Sequence, residues 1–174
     1  VANGIGDLSK YIICPPFVFS GRIVNFPSDK ISFIFFVCGR FQMIRQLRVK
    51  TNARTELVDI TQGVQHLVAE SGTRSGVCFI YVPHTTAAVT INENSDPNVG
   101  RDLLKELNKV IPFDDNYGHN EGNSAAHIKS SMIGVSRMVL VEEGRLALGT
   151  WQALFFCEFD GPRDRRVMVK VVKD

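Results

Sequence analysis

The C-terminal stretch SRMVLVEEGRLALGTWQALFFCEFDGPRDRRVMVKVVK, residues 136–173, decides how the chain folds. It is rich in β-branched and aromatic residues and is broken twice by turn residues, at Gly144 and at Gly161-Pro162. Apolar runs of strand length joined by such tight turns read as hairpins, and hairpins build antiparallel sheets. Working back from there, GVCFIYV (76–82) is a near-continuous apolar run between glycine and Pro83, and TTAAVTINE (85–93) is β-branched. The first run reads as a strand buried on both faces and the second as its successor. MIRQLRVK (43–50) sets Ile44, Leu47 and Val49 among basic residues, the pattern of an edge strand.

Helical periodicity appears in three places. Asp59 and Gln62 precede Val64, Leu67 and Val68, a capping-box-like start to a helix that Ser71-Gly72 ends. Asp96-Pro97 opens a second helix, with a side-chain cap and proline at its first position. Its buried stripe is Val99, Leu103, Leu107 and Val110, and Pro112 stops it. After a polar loop, 113–123, a short helix runs from Ser124, its expected cap, to Ile133. Few βαβ units and many hairpins predict an α+β fold, with an antiparallel-rich, sandwich-like core and two to three helices in a single domain.

The 174 residues suffice for one domain with a real core, and the formal charge of +2 gives no argument for nucleic acid or an anionic membrane. Neither N-terminal apolar piece, YIICPPFVF or ISFIFFVC, approaches the roughly 18 residues of a membrane span. The four cysteines, at 14, 38, 78 and 157, show no CxxC spacing. Cys78 and Cys157 read as buried free thiols, and a reducing, cytoplasmic setting follows. Residues 1–41, interrupted by prolines and glycines, differ in pattern from the rest. They are expected to be a poorly ordered extension foreign to the fold, with the domain proper at 42–174.

Three of the four histidines, His84, His119 and His127, fall within one stretch beside Glu93, Asp96 and Glu121. Imidazoles and carboxylates are the side chains that bind metals and move protons near neutral pH. His84 follows a strand and Pro83, where a side chain can leave the core and line a pocket; Thr85 and Thr86 beside it add hydroxyls. The plainer reading is a histidine satisfied by nearby carbonyls. His119 and His127, separated by a glycine-containing loop, can meet if that loop turns back. With His84 they make a three-imidazole set suited to zinc or a similar divalent ion, against the alternative of separate polar roles. Amides at Ser124, Ala125 and Ala126 offer an anion site at a helix N-terminus. Lys129 can assist there, and so can Arg163 if its loop folds over; otherwise Arg163, Arg165 and Arg166 simply solvate a turn. Glu93 is a candidate base because Asp96 already serves as the cap, and Glu121 is a second. Asn92 and Gln152 are placed to contact a substrate, whereas Trp151 reads as core or subunit interface. His66, off the apolar face of its helix, reads as exposed and without a role.

Taken together, PHTTAAVTINEN with Asp96-Pro97, Tyr117, His119, Glu121-Gly122, Ala126-His127, Lys129, GRLALGTWQ and CEFDGPR resemble the YjbQ-like family, known as secondary thiamine-phosphate synthases. The likeness spans Met43 to Asp174. It implies a homotrimer with sites near subunit boundaries and a divalent metal ion, zinc or magnesium, held by histidines. It also implies weak thiamine-phosphate synthase activity on phosphorylated small molecules. The alternative is a non-catalytic trimer that binds a metabolite or a metal. Limited proteolysis tests the division at residue 41: cleavage is expected first within 1–41, and equal resistance of that segment and the remainder defeats it.

Overall fold

The computed structural model describes residues 44–174; the expected extension at 1–41, with Cys14 and Cys38, lies outside the described residues. Eight strands and three helices follow in the order β1 (Arg45–Lys50), β2 (Glu56–Asp59), α1 (Thr61–Ser71), β3 (Gly76–Tyr81), β4 (Ala87–Glu93), α2 (Pro97–Val110), α3 (Ser124–Ile133), β5 (Ser136–Glu142), β6 (Arg145–Leu146), β7 (Gln152–Glu158) and β8 (Asp164–Lys173). They form a five-stranded sheet, ordered β1-β8-β3-β5-β6, and a three-stranded sheet, ordered β2-β7-β4. Every pairing is antiparallel, as the hairpin reading of 136–173 requires.

Side chains alternate across a strand, so each sheet sends one set of residues to each face. Val49, Ile80, Val139, Val167 and Val169 from the larger sheet meet Val89, Leu154 and Phe156 from the smaller, and Val64 and Val68 of α1 join them in one core. The other face of the smaller sheet builds a second core. There Ala88, Cys157 and Phe159 pack with Ala126 of α3 and with Leu104 and Leu107 of α2. The protein is thus layered as sheet, sheet and helix pair.

This layering overturns the expectation that β3 is buried on both faces. β7 lies in the middle layer and is covered on both faces, all its residues but Gln152 being buried. β3 lies in an outer layer, and Phe79 and Tyr81 are exposed at 45% and 47%. Met138 and Leu140 of neighbouring β5 are exposed beside them, so the outer face of the larger sheet is apolar. Ile44 is likewise exposed and does not share the inward face of Leu47 and Val49. On α2, Val110 is exposed and Leu104 packs inward with Leu107. Trp151 is 66% exposed, which removes the core half of its expected role.

The helix ends show how local chemistry sets the boundaries. Asp96 caps α2, accepting from the Asn98 amide at 2.8 Å, with Pro97 following it. Asp59 accepts from the Thr61 amide at 2.8 Å, one position upstream of the Ile60 N-cap, and Gln62 takes no part in a reciprocal cap. α1 ends at Gly72, whose φ of 66° favours glycine. Asn123, not Ser124, is the N-cap of α3, and it makes no side-chain capping bond. Gly76 has φ +152°, and a Cβ there would lie 2.0 Å from the Val172 carbonyl oxygen, so β3 can enter the sheet only with glycine at that point.

A fully buried carboxylate, Glu158, ends β7. It accepts from Arg165 Nε at 2.7 Å and Nη2 at 2.6 Å, from the Thr51 hydroxyl at 3.1 Å, and from the amides of Phe159 and Asp160 at 3.0 and 2.9 Å. Arg165 Nη2 also donates to the Thr86 hydroxyl at 2.9 Å. Arg165 therefore does not solvate a turn: it is 8% exposed and paired in the core. Replacing Glu158 with Gln leaves the guanidinium without its charge partner; a loss of about 3–5 kcal/mol is expected. Urea unfolding checks it, and the Arg165→Met, Glu158→Leu double variant should recover most of the loss.

Candidate active-site groove

The loop from Phe113 to Asn123 turns back on α3 and brings His119 to His127, their ring centroids 5.4 Å apart and edge to face. Tyr117 helps shape the loop, its hydroxyl donating to the Pro112 carbonyl at 2.9 Å. Gly122, with φ +72°, makes the last bend. Tyr117, His119, Ser124, His127 and Ile128 line a shallow groove of about 280 Å³. It adjoins a second groove of about 360 Å³ along His127, Ile128, Ser131 and Met132.

Ser124 opens α3 at the groove. The amides of Ala126 and His127 bond to the Asn123 carbonyl at 2.9 and 3.3 Å, so Ala126 is not a free donor as the sequence suggested. The amide of Ser124 precedes these bonds, at the positive end of the helix dipole. Arg163 does fold toward this end. Its guanidinium donates to Asp160 Oδ2 at 2.7 Å and its Nε to the Asp160 carbonyl at 2.7 Å, while Asn123 Nδ2 donates to the same carboxylate at 3.2 Å. Asp160 thereby ties Arg163 to the α3 cap. Asn123 Oδ1, buried here, has no hydrogen-bond partner. Glu121 is exposed, its carboxylate 3.9 Å from His119 Nε2.

Other predicted residues lie elsewhere. His84 Nε2 accepts the Arg166 amide at 3.1 Å, and within one chain His84 lines neither groove and forms no three-donor group with the other two imidazoles. Burial, then the charges of Arg165 and Arg166, hold its pKa below the ordinary 6.5. Thr86 is buried and serves Arg165; Thr85 is exposed. Ala87 and Glu93 are paired with Glu158 and Gln152 at opposite ends of the β4–β7 ladder, about 20 Å apart at strand rise. The Asn123–Asp160 contact holds the start of α3 at the Glu158 end, so Glu93 and Gln152 sit away from the groove. Glu93 accepts from Ser95 at 2.5 Å, Gln152 Oε1 from the Gly149 amide at 2.8 Å, and Asn92 Oδ1 from the Glu93 amide at 2.8 Å. Lys129 is fully buried, its ammonium on Asn108 Oδ1 at 2.6 Å, and so does not reach an anion in the groove. His66 is exposed and pairs only with Glu70, at 3.3 Å.

Two imidazoles on one tetrahedral ion stand about 5 Å apart between ring centres, given metal–nitrogen bonds near 2 Å. His119 and His127 match that spacing. A catalytic zinc takes three protein ligands, and among the described residues no group of three His, Cys, Asp or Glu is placed to hold a metal. Within one chain, therefore, the pair of imidazoles stands without a third such donor among the described residues.

A three-layer α+β protein with a histidine pair at a helix N-terminus is the class that fold and groove define. Its sequence matches the model of the UPF0047 protein YjbQ-like family over residues 45–174, and the chain belongs to that family. It is 50% identical over 131 residues to UPF0047 protein YugU of Bacillus subtilis, covering 75% of this chain and 99% of that one. UPF0047 protein MJ1081 of Methanocaldococcus jannaschii is 50% identical over 133 residues, 76% and 96% of the two chains. The crystal structure of an uncharacterized YjbQ/UPF0047 protein from Clostridium acetobutylicum shares 50% identity and a TM-score of 0.73, covering 74% of this chain and 99% of its own. A YbjQ-like protein of unknown function from Sulfolobus solfataricus is 35% identical, with a TM-score of 0.73, over 76% and 97%.

Because the folded pKa of His84 lies below 6.5, the unfolded chain protonates first on acidification. The stability this residue contributes is complete above pH 6.5 and falls as pH drops through the window beneath it. A His84→Gln variant should flatten the dependence of Tm on pH in that window, and an NMR titration of His84 should give a midpoint under 6.5.

Proposed function

We propose that the groove at the start of α3 binds a phosphorylated small molecule, and that the protein is a metal-assisted transferase with weak thiamine-phosphate synthase activity. That reaction joins a pyrimidine-methyl diphosphate to a thiazole phosphate and releases pyrophosphate. The observation that carries this reading is the 5.4 Å histidine pair facing Ser124 in one groove at a helix N-terminus. An oxyanion arriving there meets the Ser124 amide and hydroxyl and the positive end of the helix. Arg163, anchored by Asp160, adds positive charge on the same side. Glu121 is the acid–base group within reach; Glu93, at the far end of β4, is not used.

His119 and His127 would hold a divalent ion, zinc or magnesium, with a further donor from a second copy of the chain. When bound, that ion would supply positive charge for the anionic oxygens of the substrate. A homotrimer is part of this reading. It is supported by the exposed apolar face of Phe79, Tyr81, Met138 and Leu140 and by Ile128 and Met132 exposed beside the groove. Among the described residues no helix is long and apolar enough to cross a membrane, and Cys78 and Cys157 are free, buried thiols. Free thiols are in keeping with a reducing cytoplasm, and burial raises their pKa values to about 11 and about 12, which makes them poor nucleophiles.

His127→Ala should lose bound metal and pyrophosphate release with the circular dichroism spectrum unchanged. Elemental analysis of protein purified without chelator checks this, and an unaltered metal content overturns the ligand assignment. The separation of Glu93 from the groove favours a second reading, a trimer that binds without turnover. Phosphate-induced thermal shifts, without pyrophosphate release and unchanged by Glu121→Gln, would establish it.

A further inference from the structure

Trp151 is 66% exposed, yet the turn that carries it is fixed by three bonds. The Gln152 amide donates to the Gly149 carbonyl at 2.9 Å, the Gly149 amide to Gln152 Oε1 at 2.8 Å, and the Asn94 amide to the Trp151 carbonyl at 2.9 Å. An indole held out to water on an ordered turn has the form of an interface anchor, set in place before anything binds it. Asp59, Glu93 and Asp96 gather at this end of the smaller sheet, Asn94 Nδ2 donating to Asp59 at 2.7 Å. None of the three carboxylates is in an ion pair among the described residues.

The matching surface lies on α3. His127, Ile128, Ser131 and Met132 share one helix face and line the groove of about 360 Å³, with Ile128 and Met132 exposed. Its volume is near the lower end (~300 Å³) of pockets that take a small molecule, which suits one bicyclic ring. An ion held by His119 and His127, with the positive end of α3 beside it, is opposite in sign to the carboxylates around Trp151. Glu121, 3.9 Å from His119, offsets part of that charge. Within one chain the two surfaces are held apart. The Val89 amide donates to the Gly134 carbonyl at the end of α3, whereas Trp151 lies beyond Glu93, a further ~13 Å along β4 at strand rise.

Two different surfaces that fit one another and lie apart on a chain make head-to-tail contacts, which close into a ring when the rotation allows. We propose that the Trp151 turn of one copy seats in the Ile128–Met132 groove of the next, and that this contact carries Glu93 across to the His119–His127 pair as its third donor. This seating rests on the homotrimer and metal proposed above and identifies the surfaces that meet in it. Glu93, out of reach of the groove in its own chain, has Oε1 on the Ser95 hydroxyl, and no hydrogen bond or ion pair among the described residues takes Oε2.

The test co-expresses full-length Thr150→Cys copies with full-length Ser131→Cys copies and treats the purified mixture with a short bismaleimide. Both positions are exposed, and both substitutions leave Trp151 and Met132 in place. Mass spectrometry should find a peptide linking residue 131 to residue 150, lost when Trp151→Ala is added to the Thr150→Cys copy. A mixture without that peptide, or with 131–131 and 150–150 links in its place, overturns the proposal. His127→Ala and Glu93→Gln should each lose bound metal. Co-expressing the two should restore about one-quarter of the wild-type content, because mixed rings pair intact grooves with intact Glu93 at that frequency. No recovery, in a wild type that binds metal, removes Glu93 from the site. The linked peptide in a protein that binds no metal upholds the Trp151 seating and removes the role of Glu93 together with the metal reading.

Discussion

The Glu158–Arg165 pair ties together, at one end, two sheets that otherwise meet through their shared apolar core. Glu158 ends β7 in the three-stranded sheet and Arg165 lies near the start of β8 in the five-stranded one. Thr51 follows β1 and Thr86 precedes β4, so the two hydroxyls on this pair also come one from each side. Every hydrogen-bonding direction of the carboxylate is filled, which is the condition under which a charge can be held in a core. The pair also sets the path of the following turn. Gly161 passes so close that a Cβ would lie 2.3 Å from the Ala53 carbonyl oxygen, and that path delivers Asp160 and Arg163 to the cap of α3.

The candidate groove and the architecture meet on α3. Ala126 lets it lie against the smaller sheet beside Ala88, and the Ser130 hydroxyl donates to the Ala87 carbonyl at 2.7 Å. One side of the helix carries Ser124 and His127 to the open groove, while the other carries Lys129 inward. A rigid seat of this kind is what a polar site needs, because the groups around a ligand must be held before it arrives.

Much of this was legible in the chain. The strands of residues 136–173, the Asp96-Pro97 helix start and the family follow from turn residues, alternation and motif. The proximity of His119 and His127 was legible through Gly118 and Gly122, which let the connecting loop bend. Burial in layers was harder to read. GVCFIYV and QALFFCE look equally apolar, and only the helix pair over the smaller sheet makes the second a strand covered on both faces. Glu158 and Arg165 look like turn charges until the strands on either side are brought together. A carboxylate within the otherwise apolar run FFCEF was the available signal. Lys129 reads as an aid to an anion at the helix start because nothing local shows that Phe113 and Asn108 fold over it. His84 and Glu93 were grouped with the other site residues by nearness in sequence, whereas a strand of seven residues carries its two ends apart.

The way α3 ends has a consequence for how copies of this chain can associate. The Gly134 carbonyl accepts the Val89 amide at 3.1 Å, so the helix terminus occupies part of the β4 margin, where another strand would otherwise add. At one border of the larger sheet, β1 presents Arg45, Arg48 and Lys50, whose mutual repulsion discourages strand addition. Two of the four sheet borders, β4 and β1, are thus guarded, and ribbon-like growth by strand addition is disfavoured at both.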